Sequence, residues 1–344
     1  MKPNEHSENS YQLKRRDFSK KLGLMLGSSF AVNQYLLNQA LAQTTKLQNV
    51  RLLLGAPPGG VGDLMARRLA EKLRGVYAQN IFVENKPGAG GQLAINTTKG
   101  SLEDGATLLL TPSSPMSLYP ATYKQLPYKP ELDFKPIALV AYSAMAFAVG
   151  PAIPANVKRL DDFLALAKTK PEVGSYGSAA AGSIPHLLAA SIAHSSGVTL
   201  THVAYKGSAP AVQDLRAGIL PALCGPLGTF LPFLGSGQIR LLAVSGDKRS
   251  SFTPDVLTFR ESGFSISARE WYGFFAPAGT REELVDAASR AILSSMKTPS
   301  MLDTLAQFGL EPGFGGPKEL AAQLRLDRME WASQVSKIGF SAET

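Results

Sequence analysis

Beyond residue 42 the chain holds three histidines, His186, His194 and His202, and one cysteine, Cys224. These residue types build nucleophilic, acid–base and metal chemistry, but their spacing here supports none of the three. His186 and His194 are eight apart and fall near one helix face, yet no third ligand stands in register. No His-Glu-x-x-His motif or cysteine cluster is present. Cys224 sits in the apolar run ILPALCGPLG and reads as a small core residue; as a lone cysteine it forms no internal disulfide. A serine hydrolase needs a Gly-x-Ser-x-Gly elbow, which is absent. GSAAAGS, Gly177–Ser183, has phosphate-loop glycine spacing without the lysine that reaches a nucleotide's phosphates, and PPGGVGD does not complete Gly-x-Gly-x-x-Gly. Acid–base catalysis needs two carboxylates in contrasting environments. Asp214 is the one loose partner for Asp63, and its mid-helix position reads as a solvated face. The expectation is a protein with no catalytic residue, no metal and no cofactor.

What the chain does offer is a recurring unit: an apolar strand, a loop of Gly, Ser and Pro, then an amphipathic helix. VRLLL runs into Pro57–Gly62 and a helix with Met65, Leu69 and Leu73 at spacing four. IFVEN leads into KPGAGGQ, ATLLLT into PSSPMSLYP, GSYGS into AAAGS and a helix, and LTHVAY into KGS and a further helix. Ser183 and Ser208 stand where helix N-caps belong, Gly197 and Gly218 where helices stop. Strands alternating with helices predict α/β architecture with mostly parallel sheets, whose ligands bind at the loops after the strands. Helix N-termini there present free N–H groups and the positive end of the helix dipole. Two sheets offering such ends to one cleft would form an anion clamp. Asp63 reads either as a first-turn carboxylate favoured by the dipole or as a group that accepts from a ligand. His186, in the first turn after AAAGS, reads either as ligand-facing or as a capping and packing residue. His194 and His202 read as surface or packing residues.

The first forty-two residues form a separate segment. KRRDFSKKLGLMLGSSFAVNQYLLNQALAQ opens with Arg15 and Arg16, continues through a short apolar run broken by glycine and polar residues, and ends in Ala40-Leu41-Ala42. This predicts a twin-arginine export signal over residues 1–42, cut after Ala42, and a periplasmic location. The chain that remains has 29 Lys and Arg against 24 Asp and Glu. These charges are scattered and not gathered in a stripe, so nucleic acid is not an expected partner, while a mild positive field favours anionic ligands.

Seven stretches in order along the chain carry a resemblance to a known family: PPGGVGDLMAR, VENKPGAGG, DGATLLL, GSYGSAAAGSIPHL, YKGSAPAVQDLRAG, IRLLAVSGDKRS and WYGFFAPAGT. The chain resembles the Bug receptors (Bordetella uptake gene proteins), the periplasmic solute receptors of tripartite tricarboxylate transporters. The resemblance implies a two-lobed type II periplasmic-binding-protein fold with the ligand cleft between the lobes. It places chain crossings near Phe147–Pro151 and Trp271–Phe275, giving lobe 1 as residues 48–147 plus 273–344 and lobe 2 as residues 148–272. The implied ligand is a small carboxylate, held mainly by backbone N–H and hydroxyl groups. Carried onto this chain, the ligand-binding residues are Gly59, Gly60, Asp63, Ser113 and Ser114 from one lobe. From the other they are Ser178, Gly182, Ser183, His186, Tyr205, Lys206 and Gly207. The implied partners are the transporter's membrane subunits, with the receptor itself a monomer; a periplasmic enzyme on a small organic acid and a ligand-presenting accessory of a sensor kinase are the competing readings. Two departures stand out. Ala56 replaces a bulky aromatic before the Pro-Pro-Gly-Gly, which widens one wall, and LCGPLG lacks an acidic residue that the family often has there, which argues against amino-acid ligands. Tyr205, Trp271 and Tyr272 are candidate aromatic walls.

Overall fold

The structure, a computed structural model, describes residues 47–342. The export signal expected over residues 1–42 lies outside them. Leu47–Leu54 (β1) is partly exposed where it begins and buried where it ends, as befits a strand running into the middle of a parallel sheet. It pairs in parallel with Ala78–Asn85 (β2) on one side and Thr107–Pro112 (β3) on the other. Between β1 and β2 runs Val61–Leu73 (α1), which buries Met65, Leu69 and Leu73, the predicted spacing-four stripe. Gln92–Lys99 (α2) returns the chain from β2 to β3.

Phe134–Val149 (β4) is a 16-residue strand, almost wholly buried. A second group of strands follows it: Ser175–Ser178 (β5), Thr201–Ala204 (β6), Ala222–Pro226 (β7) and Arg240–Val244 (β8). β5 runs parallel to both β6 and β7. The chain then returns as Arg269–Pro277 (β9), antiparallel to β3 and β4, and Glu311–Gly315 (β10), antiparallel to β4. β4 belongs to both groups: it pairs with β9 as far as Ala144 and with β7 from Met145 onward. Its near-continuous apolar sequence follows from burial on both faces. Met145, Phe147 and Val149 pack with Phe163 and Leu187, while Ala144, Ala146 and Ala148 pack with Val212, Leu215 and Phe230.

Helices cover both groups. Leu160–Thr169 (α3), Ile184–Ser196 (α4) and Ser208–Arg216 (α5) flank the second; Glu282–Met296 (α6) and Pro299–Gln307 (α7) pack on the first. Pro317–Ile338 (α8) serves both. Leu320 and Leu324 join the cluster of Leu53, Leu109 and Trp271, whereas Trp331 and Val335 join that of Phe147, Phe163 and Leu187. One helix thus lends buried apolar side chains to two cores. Among the described residues no helix is long and apolar enough to cross a membrane.

Candidate ligand-binding site

The loops that follow β1, β3, β5, β6 and β7 meet where the two strand groups join, and they enclose a cavity in two connected compartments. The larger, of about 310 Å³, is walled by Ala56, Gly88–Gly91, Ser114, Tyr119, Tyr123, Ala179–Ala181, Ser183, Tyr205, Lys206 and Gly207. The smaller, of about 110 Å³, is walled by Gly60, Val61 and Gly62 at the start of α1, by Gly207 and Ser208 at the start of α5, and by Tyr272. Gly55, Ala56, Pro112, Ala179, Gly207, Pro226 and Glu270 belong to both walls. Helices α1 and α5 thus point their first turns, with N–H groups that have no intrahelical acceptor, at one space. That geometry suits an anion.

Two loops reach the cavity only because of their backbone. Gly207 has φ +105°, and a Cβ there would lie 2.4 Å from Pro57 Cδ. A glycine is what lets the β6–α5 loop touch the β1–α1 loop across the cavity. The GAGG loop from Gly88 to Gly91 has positive φ at all four residues, including Ala89 at 45°. A non-glycine residue held there stores strain of about 1–3 kcal/mol, a feature that gathers at ligand sites.

Of the residues expected in the site, Gly60, Ser114, Ser183, Tyr205, Lys206 and Gly207 line the cavity. The others stand outside its wall. Gly59 lines a neighbouring groove with Leu64 and Gln213, and its N–H donates to Asp63 Oδ2 at 2.9 Å. Asp63 is buried and fully engaged, accepting from Arg67 Nε at 3.0 Å and Asn85 Nδ2 at 2.8 Å. Burial pushes its carboxyl up, but the hydrogen bonds from Arg67, Gly59 and Asn85 outweigh that and hold it below the ordinary value. In this structure Asp63 fastens the glycine loop to α1. Ser113 is buried and its Oγ has no hydrogen-bond partner. Gly182 donates its N–H to His186 Nδ1 at 3.0 Å.

His186 packs beneath the loop that precedes it. Its ring stacks on His202 at 3.6 Å and 12°, Phe340 meets it edge-on at 4.7 Å, and His202 Nε2 lies 2.8 Å from Ser178 Oγ. Burial, with His202 beside it, lowers His186 to about 3, and burial lowers His202 to about 4. Both rings are neutral at ordinary pH. Ser183 is the N-cap residue of α4, but its Oγ donates back to Ala180 O at 2.6 Å and not into the helix. Asp214 is half-buried and accepts from Tyr205 Oη at 2.8 Å, which fixes that aromatic wall. Trp271 is core, donating its indole N–H to Asp327.

The sequence reading missed Glu270. It is 5% exposed, lines both compartments, and accepts from Ser114 Oγ at 2.6 Å. Ser114 Oγ accepts in turn from Ile184 N at 3.1 Å, so one hydroxyl links the loop after β3, the start of α4 and β9. Burial raises the Glu270 carboxyl strongly and the two Ser114 hydrogen bonds only partly offset it, leaving it at about 7. The available signal was the company Glu270 keeps in REWYGFFAP: it shares a face with Tyr272 and Phe274, and every residue from Glu270 to Pro277 is buried. Tyr119 and Tyr123, also unforeseen, donate to Gly90 O at 3.0 Å and Ala181 O at 2.9 Å. Among the described residues no His, Cys, Asp and Glu cluster could hold a metal ion.

The pattern of the tripartite tricarboxylate transporter family receptor matches residues 65–339. The chain belongs to this family. It is 30% identical to BugT of Bordetella pertussis, over 87% of this chain and 91% of that protein. Its structure superposes on the periplasmic binding protein BugD with a TM-score of 0.80 at 28% identity, covering 86% of this chain and 98% of that one. A Rhodopseudomonas palustris protein solved with adipate gives a TM-score of 0.81 at 28% identity, over 87% and 99% of the two chains. MatC from Rhodopseudomonas palustris, solved with malate, gives 0.79 at 25% identity, over 84% and 99%. The fold is therefore the mixed α/β periplasmic-binding-protein fold, and the Bug family comprises solute-binding receptors and not enzymes.

Proposed function

We propose that this Bug-family chain captures a small carboxylated molecule in the periplasm and delivers it to the membrane subunits of a tripartite tricarboxylate-type transporter. The observation that carries this reading is the cavity where the first turns of α1 and α5 converge, with Lys206 and no arginine among the described residues of its wall. Neutral amides suffice for an anion. A hydrogen bond to a charged group is worth roughly 1.5–3 kcal/mol, so four or five supply about 6–15 kcal/mol, a range whose upper part exceeds the ~8 kcal/mol of a micromolar complex. The surplus offsets lost ligand freedom and loop ordering. The neighbours solved with adipate and malate support a carboxylate as ligand.

The mechanism is capture by closure. The two strand groups act as lobes, residues 48–147 plus 273–344 and residues 148–272. An open cleft takes the carboxylate on one lobe. Contacts such as Ile184 N to Ser114 Oγ, Tyr123 Oη to Ala181 O and Gly207 against Pro57 form only on closure, and the ligand shifts the population toward that form. Residues 1–42 direct export by the twin-arginine route, and the receptor works as a monomer. Native mass spectrometry of the purified protein tests this reading: a retained small acid, released unchanged and stabilising the protein on re-addition, supports it. Turnover of that acid, or a retained molecule with no carboxylate, contradicts it.

A further inference from the structure

We propose that Glu270 selects the ligand, and that the carboxylate this receptor takes is an α-amino acid whose ammonium group is bound by the Glu270 carboxylate. The inference rests on the receptor reading above and names the ligand class of the same site. Three observations lead to it. First, among the described residues Glu270 is the one acidic side chain on the cavity wall and Lys206 the one basic one, and no ion pair joins them. Second, the hydrogen bonds given to Glu270 end on one of its two oxygens. Ser114 Oγ accepts from the Ile184 N–H and donates its own proton to Glu270 Oε1. The Ser114 N–H points at the same oxygen, at 3.4 Å. Oε1 accepts from Ser114, and among the described residues no hydrogen bond reaches Oε2, although the residue is nineteen-twentieths buried. A buried carboxylate with a free oxygen facing a cavity calls for a cationic donor from the ligand. Third, Glu270 lines the small compartment together with the first turns of α1 and α5. The anion site and the acid are close neighbours there, as the carboxylate and ammonium of an α-amino acid are.

The groups around Glu270 do not supply the missing charge. Tyr119 and Tyr272 face it as neutral phenols, held so by burial, and Lys206 is exposed at the wall. The larger compartment, walled by Pro115, Tyr119, Tyr123 and Pro185, would take an apolar or aromatic side chain. A second bare carboxylate beside Glu270 would instead repel it or require it to bind a proton. The acid absent from LCGPLG is thus replaced from a different strand, since Pro226 of that stretch lines the same cavity as Glu270.

The test is calorimetry on the purified protein, wild type and Glu270→Gln, at pH 8, with the twenty standard L-amino acids, malate and adipate as probes. The inference expects at least one amino acid to bind the wild type, to lose tenfold or more in affinity in Glu270→Gln, and to bind far more tightly than its desamino acid. The desamino comparison uses the wild type alone and holds even if the variant folds poorly. Amino-acid binding that Glu270→Gln leaves unchanged would overturn the inference. So would binding confined to malate or adipate, equal or tighter in the variant; in both cases the receptor reading stands. Binding of no probe would also overturn the inference, while the receptor reading is decided separately by the molecule the purified protein retains.

Discussion

At the scale of single residues, buried titratable groups divide into those that fasten the loops and the one that faces the ligand. His186 and His202 are fasteners, and both are held neutral. Unfolding returns them to about 6.5, so between there and about 4 the unfolded chain binds more protons than the folded one. Stability must fall as pH drops through that window, by up to about 2.7 kcal/mol per pH unit from the pair. Urea unfolding of wild type and a His186→Gln, His202→Gln double variant, between pH 4.5 and 7, checks this: the variant should show a shallower slope, and an equal slope would contradict the assignment. Glu270 has the opposite sign. Its folded value, about 7, lies above the ordinary 4.5, so its contribution is complete below 4.5 and is lost as pH rises through 7. The loss is on the order of 3 kcal/mol by pH 8. Glu270→Gln should therefore melt higher than wild type at pH 8 and at a similar temperature at pH 4.5. Asp63 and His186 show the limit of sequence at this scale. Each stands in a first helical turn beside a glycine loop, where a ligand contact and a local fastening look identical in sequence; the local contacts with Arg67, Asn85 and His202 are visible only in the fold.

At the scale of elements, the strand–loop–helix units could be read directly from the sequence, because apolar runs and glycine punctuation report local structure. What they could not report was which loops touch. Gly207 fits against Pro57 only because it lacks a Cβ, and that contact spans 150 residues of sequence. Gly207→Ala would push the two loops apart and strain a positive-φ position. It is expected to weaken ligand binding tenfold or more by calorimetry while the protein keeps its circular dichroism spectrum; unchanged affinity would remove this contact from the mechanism. Helix α8 makes the same point. Its buried apolar residues are spaced along one helix, but spacing does not say that one half packs on each core. Trp331→Ala should cost about 3–5 kcal/mol in urea unfolding, since the ring is buried among Phe147, Phe163 and Leu187.

At the scale of the whole molecule, the α/β class followed from alternation alone, and the receptor fold from the order of seven short stretches. The cavity wall was legible where it consists of loops after parallel strands. It was not legible at Glu270, because β9 comes from elsewhere in the chain and a charge between Arg269 and Trp271 looks solvated until strand pairing buries its face. The central claim concerns how the molecule holds an anion: with uncharged amides from helix ends on both strand groups, not with an arginine or a metal. A crystal structure of the protein with its retained ligand is the most direct test. The account predicts a carboxylate within hydrogen-bonding distance of backbone N–H groups in the first turns of α1 and α5, between Gly60 and Gly207. A carboxylate bound elsewhere, or held chiefly by arginine side chains or a metal ion, would contradict it.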